Sequence, residues 1–459
     1  CGGADCDQAH PPPRATAGAM TRRLTLLLLL AAATVVLQQQ LLLRRAPRLL
    51  GVEPQPLQSG RAAVDVSFSR AMHRNNLAAE SSLDPELTHR WLGQGNRLRL
   101  ILEGMTPIDA PIALTLAGRD QRMQPMTPQT RWWDPRPWLL VTRQVEGGEQ
   151  LQLQDRQGQW HPLSPVWASL QSLVPLGNGS GVAMVSSNGN GKETIWRKRL
   201  TTRNLALSQQ QLGVPVQGVL EPLSEGDLLF GHISSNLNGD LLVQTGGLKP
   251  GSETLELLLA NGERQTLELP SSGPMQLLPA GGGLVVPGYD GISIRPLKDN
   301  GKPPQILPGS REMGVFCATS GRAVLIRHWP DYRRSIELVI PGLAPRELHL
   351  GEQAVLAVSC NGSGDRIWAV LGIWQGRRSQ HELVQFNSEG TVLQRRNLAP
   401  WSLSPGTGME HNPVGNDLLM TLTQPDLEGG RAALIEADTL HLRKVMDESI
   451  KEARWLPAG

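Results

Sequence analysis

From Trp132 to the C-terminus the chain repeats one unit about every 45 residues: an apolar strand, a Gly/Asn turn, a second apolar strand, and a hairpin whose last strand ends in Leu. That rhythm restricts the fold more than any other feature and reads as a β-propeller. Leu255, Leu257 and Leu259 alternate with polar residues, reach a turn at Asn261-Gly262 and continue through Leu267 and Leu269. Ile336, Leu338 and Ile340 do the same before Pro341-Gly342. Units fall at about 163–209, 224–269, 273–309, 311–348, 351–398 and 399–446. A seventh can be assembled from residues 131–163, which hold three quarters of a blade, and a C-terminal strand near Arg454-Trp455-Leu456. Such a closure leaves no open sheet edge for another chain to pair with. The unit at 273–309 is short, so six or eight blades stay open as alternatives, as does a short helix over Met446–Trp455.

With 459 residues the chain holds two or three folded units. A net charge of +2, spread along the sequence, gives no concentrated basic face, so a nucleic-acid partner is not expected. Residues 1–19 read as upstream sequence preceding Met20. Residues 20–45 have the pattern of an export leader: Arg22-Arg23, the apolar run Leu24–Leu37, then Gln38–Gln40, Leu41–Leu43 and Arg44-Arg45. The expectation is a single-pass anchor in the cytoplasmic membrane through residues 24–43, with the domains on the periplasmic or extracellular side. The alternative is a cleaved signal peptide and a secreted protein.

Residues 46–60 have the Pro, Gln and Gly content of a linker. The first domain, at 60–128, shows period-two strands: Ala62, Val64, Val66 and Phe68, then Leu98, Leu100 and Leu102, then Ile112, Leu114 and Leu116. These make a small sandwich. The string Val64-Asp65-Val66-Ser67-Phe68-Ser69-Arg70-Ala71-Met72, followed by Leu83-Asp84-Pro85, Trp91 and a Gly-Arg-Asp turn at Gly118-Arg119-Asp120, resembles the bacterial Ig-like domain of the S-layer-protein (SbsA-like) type. The resemblance implies that Phe68 and Met72 pack into the sandwich, and it implies no active site. A Pro-rich boundary from Thr127 to Pro137 leads into the propeller at 131–457, whose repeats resemble WD40-like and YncE-like propellers. The fold class expected is therefore all-β, a small Ig-like sandwich and a propeller of about seven blades, preceded by one hydrophobic helix.

Searches for chemistry return little. Gly189-Asn190-Gly191-Lys192-Glu193 lacks the first Gly and the Ser/Thr of a phosphate loop and reads as a turn. The ten His form no His-x-x-x-His pair and no Cys-x-x-Cys occurs, so neither a metal nor a cofactor is expected. A Gly-x-Ser-x-Gly elbow is also missing. Cys317 and Cys360 lie 43 residues apart at matching positions of neighbouring blades, which makes a disulfide plausible in an exported protein, with two free thiols as the alternative. Trp329-Pro330-Asp331-Tyr332-Arg333-Arg334 in one blade is echoed by Trp374-Gln375-Gly376-Arg377-Arg378 in the next. Arginine forks match carboxylate, sulfate or phosphate, and Trp faces stack on sugars or on the arginines themselves. Trp329, Tyr332, Arg333, Arg334, Trp374, Arg377 and Arg378 are therefore the candidate site, converging beside the channel on a protein partner or an anionic glycan. Packing of the tryptophans between blades, with solvated arginines, is the plainer reading. The role expected is a docking platform. A polysaccharide hydrolase or lyase using two of Asp227, Asp240, Asp290, Asp331 and Asp365 is one alternative. A structural envelope component is the other.

Overall fold

In the computed structural model, which describes residues 17–43, 45–55, 61–224, 227–249, 251–269, 273–297, 304–375 and 378–458, the repeat folds into successive antiparallel meanders built on four strands. Among the described residues there are seven, here called blades 1–7. Blades 2–7 run over 169–222, 230–266, 276–308, 311–351, 354–397 and 402–445 with strands a to d in chain order, and blade 7 has a fifth strand, Met409–Asn412, that also pairs with its strand b. Blade 1 is composite. Its strands b, c and d are Trp138–Val145, Gly148–Gln154 and Trp160–Pro162, while Ile450–Leu456 supplies strand a by pairing with Trp138–Val145. The C-terminal segment thus closes the ring as a strand, and the alternative of a helix at Met446–Trp455 is set aside.

Apolar residues on both faces of each sheet hold neighbouring blades together. Val324, Ile336 and Leu338 of blade 5 share a buried cluster with Ile367, Ala369, Val384 and Phe386 of blade 6. Leu419 and Leu434 of blade 7 pack with Leu139, Val141, Ile450 and Ala453 across the closure. Fully burying one such Leu or Ile contributes roughly 1.5–3 kcal/mol. The hairpins share one device. The Oδ1 atoms of Asp155, Asn188, Asn236 and Asn387 each accept the backbone N–H groups two and four residues on. This Asx closure is what short amide and carboxylate side chains do at tight turns.

Two further four-stranded sheets lie outside the propeller ring. One is Leu49–Gln55, Ala62–Phe68, Arg97–Leu102 and His89–Gln94, and the other is Leu205–Ala206, Gln129–Trp133, Ile112–Leu116 and Ser82–Asp84. They enclose one core of Val64, Val66, Phe68, Met72, Leu100, Leu114 and Trp133, so the unit is a sandwich. Phe68 and Met72 are buried in it.

Three expectations are corrected. Residues 46–60 are not all linker, because Leu49–Gln55 pairs with Ala62–Phe68. Pro54 hid that strand, but an edge strand tolerates a residue without an N–H. The sandwich does not end at 128 either, since Gln129–Trp133 is its strand and the propeller begins at Trp138. Strand d of blade 2 is Gly213–Pro222, beyond the expected end at 209, because the chain first detours through Leu205–Ala206 to pair with Trp132 and Trp133 of the sandwich. Helix α1 (Ala17–Leu43) forms, and among the described residues no helix is long and apolar enough to cross a membrane.

Candidate functional site

A four-stranded meander places its a–b and c–d turns at one end and its b–c turns at the other, so the ring has two unlike faces. The sandwich lies on the a–b face. There Ile108 N–H donates to the Val414 carbonyl of blade 7, and Arg61 is buried while donating to the carbonyls of Pro413 (3.2 Å), Val414 (3.0 Å) and Thr106. Burial pushes the Arg61 pKa below its ordinary value. This side chain is a bolt between the two domains.

Beside that bolt a cavity of about 590 Å³ opens on the same face. Its walls are the a–b turns of blades 5, 6 and 7, the sandwich loop at Gly104-Met105, and Trp455 on the closing strand. Cys317 and Cys360 end strands a of blades 5 and 6 and are joined in a disulfide, with Cα atoms 5.6 Å apart. Cys360 itself lines the cavity. Gly364 lets the next turn pass close to this bridge: its φ is +71°, and a Cβ there would sit 2.9 Å from Arg322 Cδ and 3.3 Å from Cys317 Sγ.

The cavity is polar but internally balanced. Glu410 accepts from Arg454 Nη1 (3.0 Å) and from the Trp455 backbone N–H (2.8 Å), while Glu452 accepts from Arg454 Nε (2.7 Å). Burial opposes charge on Arg454, but the two carboxylates outweigh it and hold its pKa above the ordinary value. Burial raises the Glu452 pKa. Arg366 pairs with Asp438, and Arg322 with Asp365 (3.0 Å). His411 stacks on buried Trp368 with ring centroids 4.8 Å apart, and burial drives its pKa down to about 4, so it is neutral at pH 7. Trp368 Nε1 donates to the Ala437 carbonyl at 2.9 Å.

The Trp/Arg loops lie on the other face. Trp329 to Arg333 form the b–c turn of blade 5, and Trp374 is the last residue but one of strand b of blade 6, Arg366–Gln375. Trp329 is half-buried under Arg327, whose guanidinium is 3.7 Å from the ring centroid, and its Nε1 donates to Ser335 (3.0 Å). Arg333 is paired with Asp331 (2.7 Å), and Arg334 donates to the carbonyls of Tyr332 and Arg333. Tyr332 (85% exposed) and Trp374 (73%) project outward, as does Tyr289 (99%) on the b–c turn of blade 4. Arg377 lies outside the described residues, and of Arg378 only the backbone is described. None of those described borders the cavity.

The five aspartates are dispersed. Asp227 pairs with Lys192, Asp240 accepts from Asn236, Asp331 pairs with Arg333, Asp290 is on a b–c turn, and Asp365 alone borders the cavity. The Gly189-Lys192 segment is a b–c turn closed by Asn188. Sequence reasoning did not single out Glu410, His411, Trp368, Arg454 or Trp455 as site residues. They come from three blades, and only ring closure brings Trp455 beside His411.

No family model matches the chain, and no curated relative does. Solved structures of similar fold include TolB from Acinetobacter baumannii, 11% identical, with 82% of this chain and 83% of that one covered at a TM-score of 0.40. The β-propeller domain of the Trilobed protease from Pyrococcus furiosus is 12% identical, with 71% and 91% covered at 0.43. An uncharacterized protein from Listeria monocytogenes EGD-e is 10% identical, with 69% and 93% covered at 0.48. At these identities the likeness concerns the fold alone.

Proposed function

We propose that this chain is an exported binding protein whose propeller presents the cavity on its sandwich-bearing face to a small ligand or to an exposed part of a protein partner. The observation that carries this reading is the concavity of about 590 Å³ built from three blades, the closing strand and the sandwich. Its size and mixed polar and aromatic walls are those of ligand pockets. Binding is favoured over hydrolysis by the bordering carboxylates, Glu410 and Asp365, each of which is engaged by an arginine. A glycosidase needs one carboxyl group free to carry a proton.

Export is supported by two features. Arg22-Arg23 followed by the run Leu24–Leu37 has the charge and length of a leader with its apolar core. A structural disulfide, Cys317–Cys360, persists in oxidising compartments. The sandwich is read as a bacterial Ig-like spacer on the strength of the Phe68-Ser69-x-x-Met72 box. Ser363 sits on the a–b turn of blade 6 at the cavity wall, so Ser363→Trp fills the cavity from a turn. A thermal-shift screen of metabolites, peptides and glycans tests the reading. Hits that stabilise the wild type and not the folded variant are the expected result, and hits indifferent to it would place binding elsewhere.

A further inference from the structure

We infer that the cavity takes an uncharged saccharide, a reading that rests on the proposed binding function and specifies its ligand class. The first observation is charge. Every ionic side chain at the wall is neutralised or bonded within the protein: Arg366 by Asp438, Asp365 by Arg322, Glu410 by Arg454, and Arg61 by backbone carbonyls. His411 carries no proton charge at pH 7. A charged ligand entering here would shed its hydration and find no uncommitted counter-ion, which is costly.

The second observation is the arrangement of the remaining groups. Hydroxyl and amide side chains, Thr319, Ser363 and Asn416, border the same space as the aromatic rings of Phe316 and Trp455. A pyranose presents hydroxyl donors and acceptors at its rim and C–H groups on its faces, so it satisfies both kinds of wall. A purely apolar ligand would strand the polar groups. A third feature of the wall is Trp455, which borders both this cavity and a smaller one of about 50 Å³ and whose Nε1, like those of Trp91, Trp133 and Trp138, is buried without a hydrogen-bond partner.

The test is calorimetric titration of the full chain with the uncharged trisaccharides maltotriose, cellotriose and xylotriose, with trigalacturonate as the charged counterpart and a neutral tripeptide library as the competing class. The expected result is binding of at least one uncharged trisaccharide with Kd below about 1 mM, at least tenfold weaker binding of trigalacturonate, and abolition by Ser363→Trp. Thr319→Val keeps the shape and removes one hydroxyl, so it should weaken binding about five- to tenfold, the worth of one neutral hydrogen bond. Circular dichroism and a cooperative melt establish that both variants are folded. Preferential binding of trigalacturonate, or saccharide binding unchanged in folded Ser363→Trp, would overturn the inference. Silence from all trisaccharides alongside peptide binding that Ser363→Trp abolishes would also overturn it, while leaving the binding function standing. Silence from every probe counts against both.

Discussion

The two faces of the propeller use the same residue types in opposite ways. On the b–c face the charges are sunk into the sheet: Arg311 donates to Glu337 at 2.7 Å and 3.3 Å with both side chains buried, and Arg327 reaches the same carboxylate while lying against Trp329. Above this floor Tyr332 and Trp374 stand free. On the a–b face the charges instead line a concavity, and the aromatic rings are in its wall. An exposed Trp/Arg motif therefore marks a well-braced hairpin, whereas the enclosed space is built from residues with no motif at all. Exposure of striking side chains is weaker guidance to a site than convergence of ordinary ones.

The largest effect expected from breaking this contrast lies beneath the b–c face. Glu337→Ala leaves the buried guanidinium of Arg311 without its carboxylate, which should cost about 3–5 kcal/mol in urea unfolding. A loss under 1 kcal/mol would mean that water reaches this cluster and that the two faces differ less than their geometry suggests. On the cavity face, Cys317→Ser with Cys360→Ser opens a 43-residue loop in the unfolded chain. The expected destabilisation is about 2–4 kcal/mol, read from the shift in urea midpoint against the oxidised protein. Equal midpoints would show that the bridge adds nothing to the packing between blades 5 and 6.

A third, smaller effect depends on pH. The His411 pKa is about 4 when folded and about 6.5 when unfolded, so between these values the unfolded chain binds more protons. The contribution of the neutral ring is complete above about pH 6.5 and is lost as pH falls towards 4, by up to about 3 kcal/mol. Asp417 acts in the other direction, because burial raises its pKa and its protonated form is favoured by folding. Comparing wild type with His411→Phe isolates the histidine: the variant should lose less stability between pH 7 and pH 4. Parallel curves would show that the ring is solvated from the cavity.

Much of the fold was legible because the period-two pattern and the Gly/Asn turns are local. The six repeat units and the composite seventh blade follow from them, and Arg454-Trp455-Leu456 was readable as the closing strand because the first unit lacked one. The Leu49–Gln55 strand was not legible, since edge strands admit Pro54 and need only one apolar face. The detour at Leu205–Ala206 was not either, because two residues pairing with a different domain leave no periodic trace. The cavity was hidden for a deeper reason. Met409, His411, Trp368 and Trp455 are far apart in sequence and unremarkable singly, and their meeting is a property of the closed ring.

The smallest effect completes the contrast. If the b–c tips are braced from below and not by their own side chains, Tyr332→Ala and Trp374→Ala should each change stability by less than about 0.5 kcal/mol, as exposed positions do. Tyr332 sharpens the point because its φ is +68°, a left-handed conformation that tyrosine adopts at a cost. Tyr332→Gly should therefore be neutral or stabilising, since glycine removes the strain while the N–H of Tyr332 still donates to the Trp329 carbonyl at 3.0 Å. A Tyr332→Gly loss well above 1 kcal/mol would mean that the exposed ring is held by contacts within the hairpin, and the b–c face would then be as structurally committed as the cavity face.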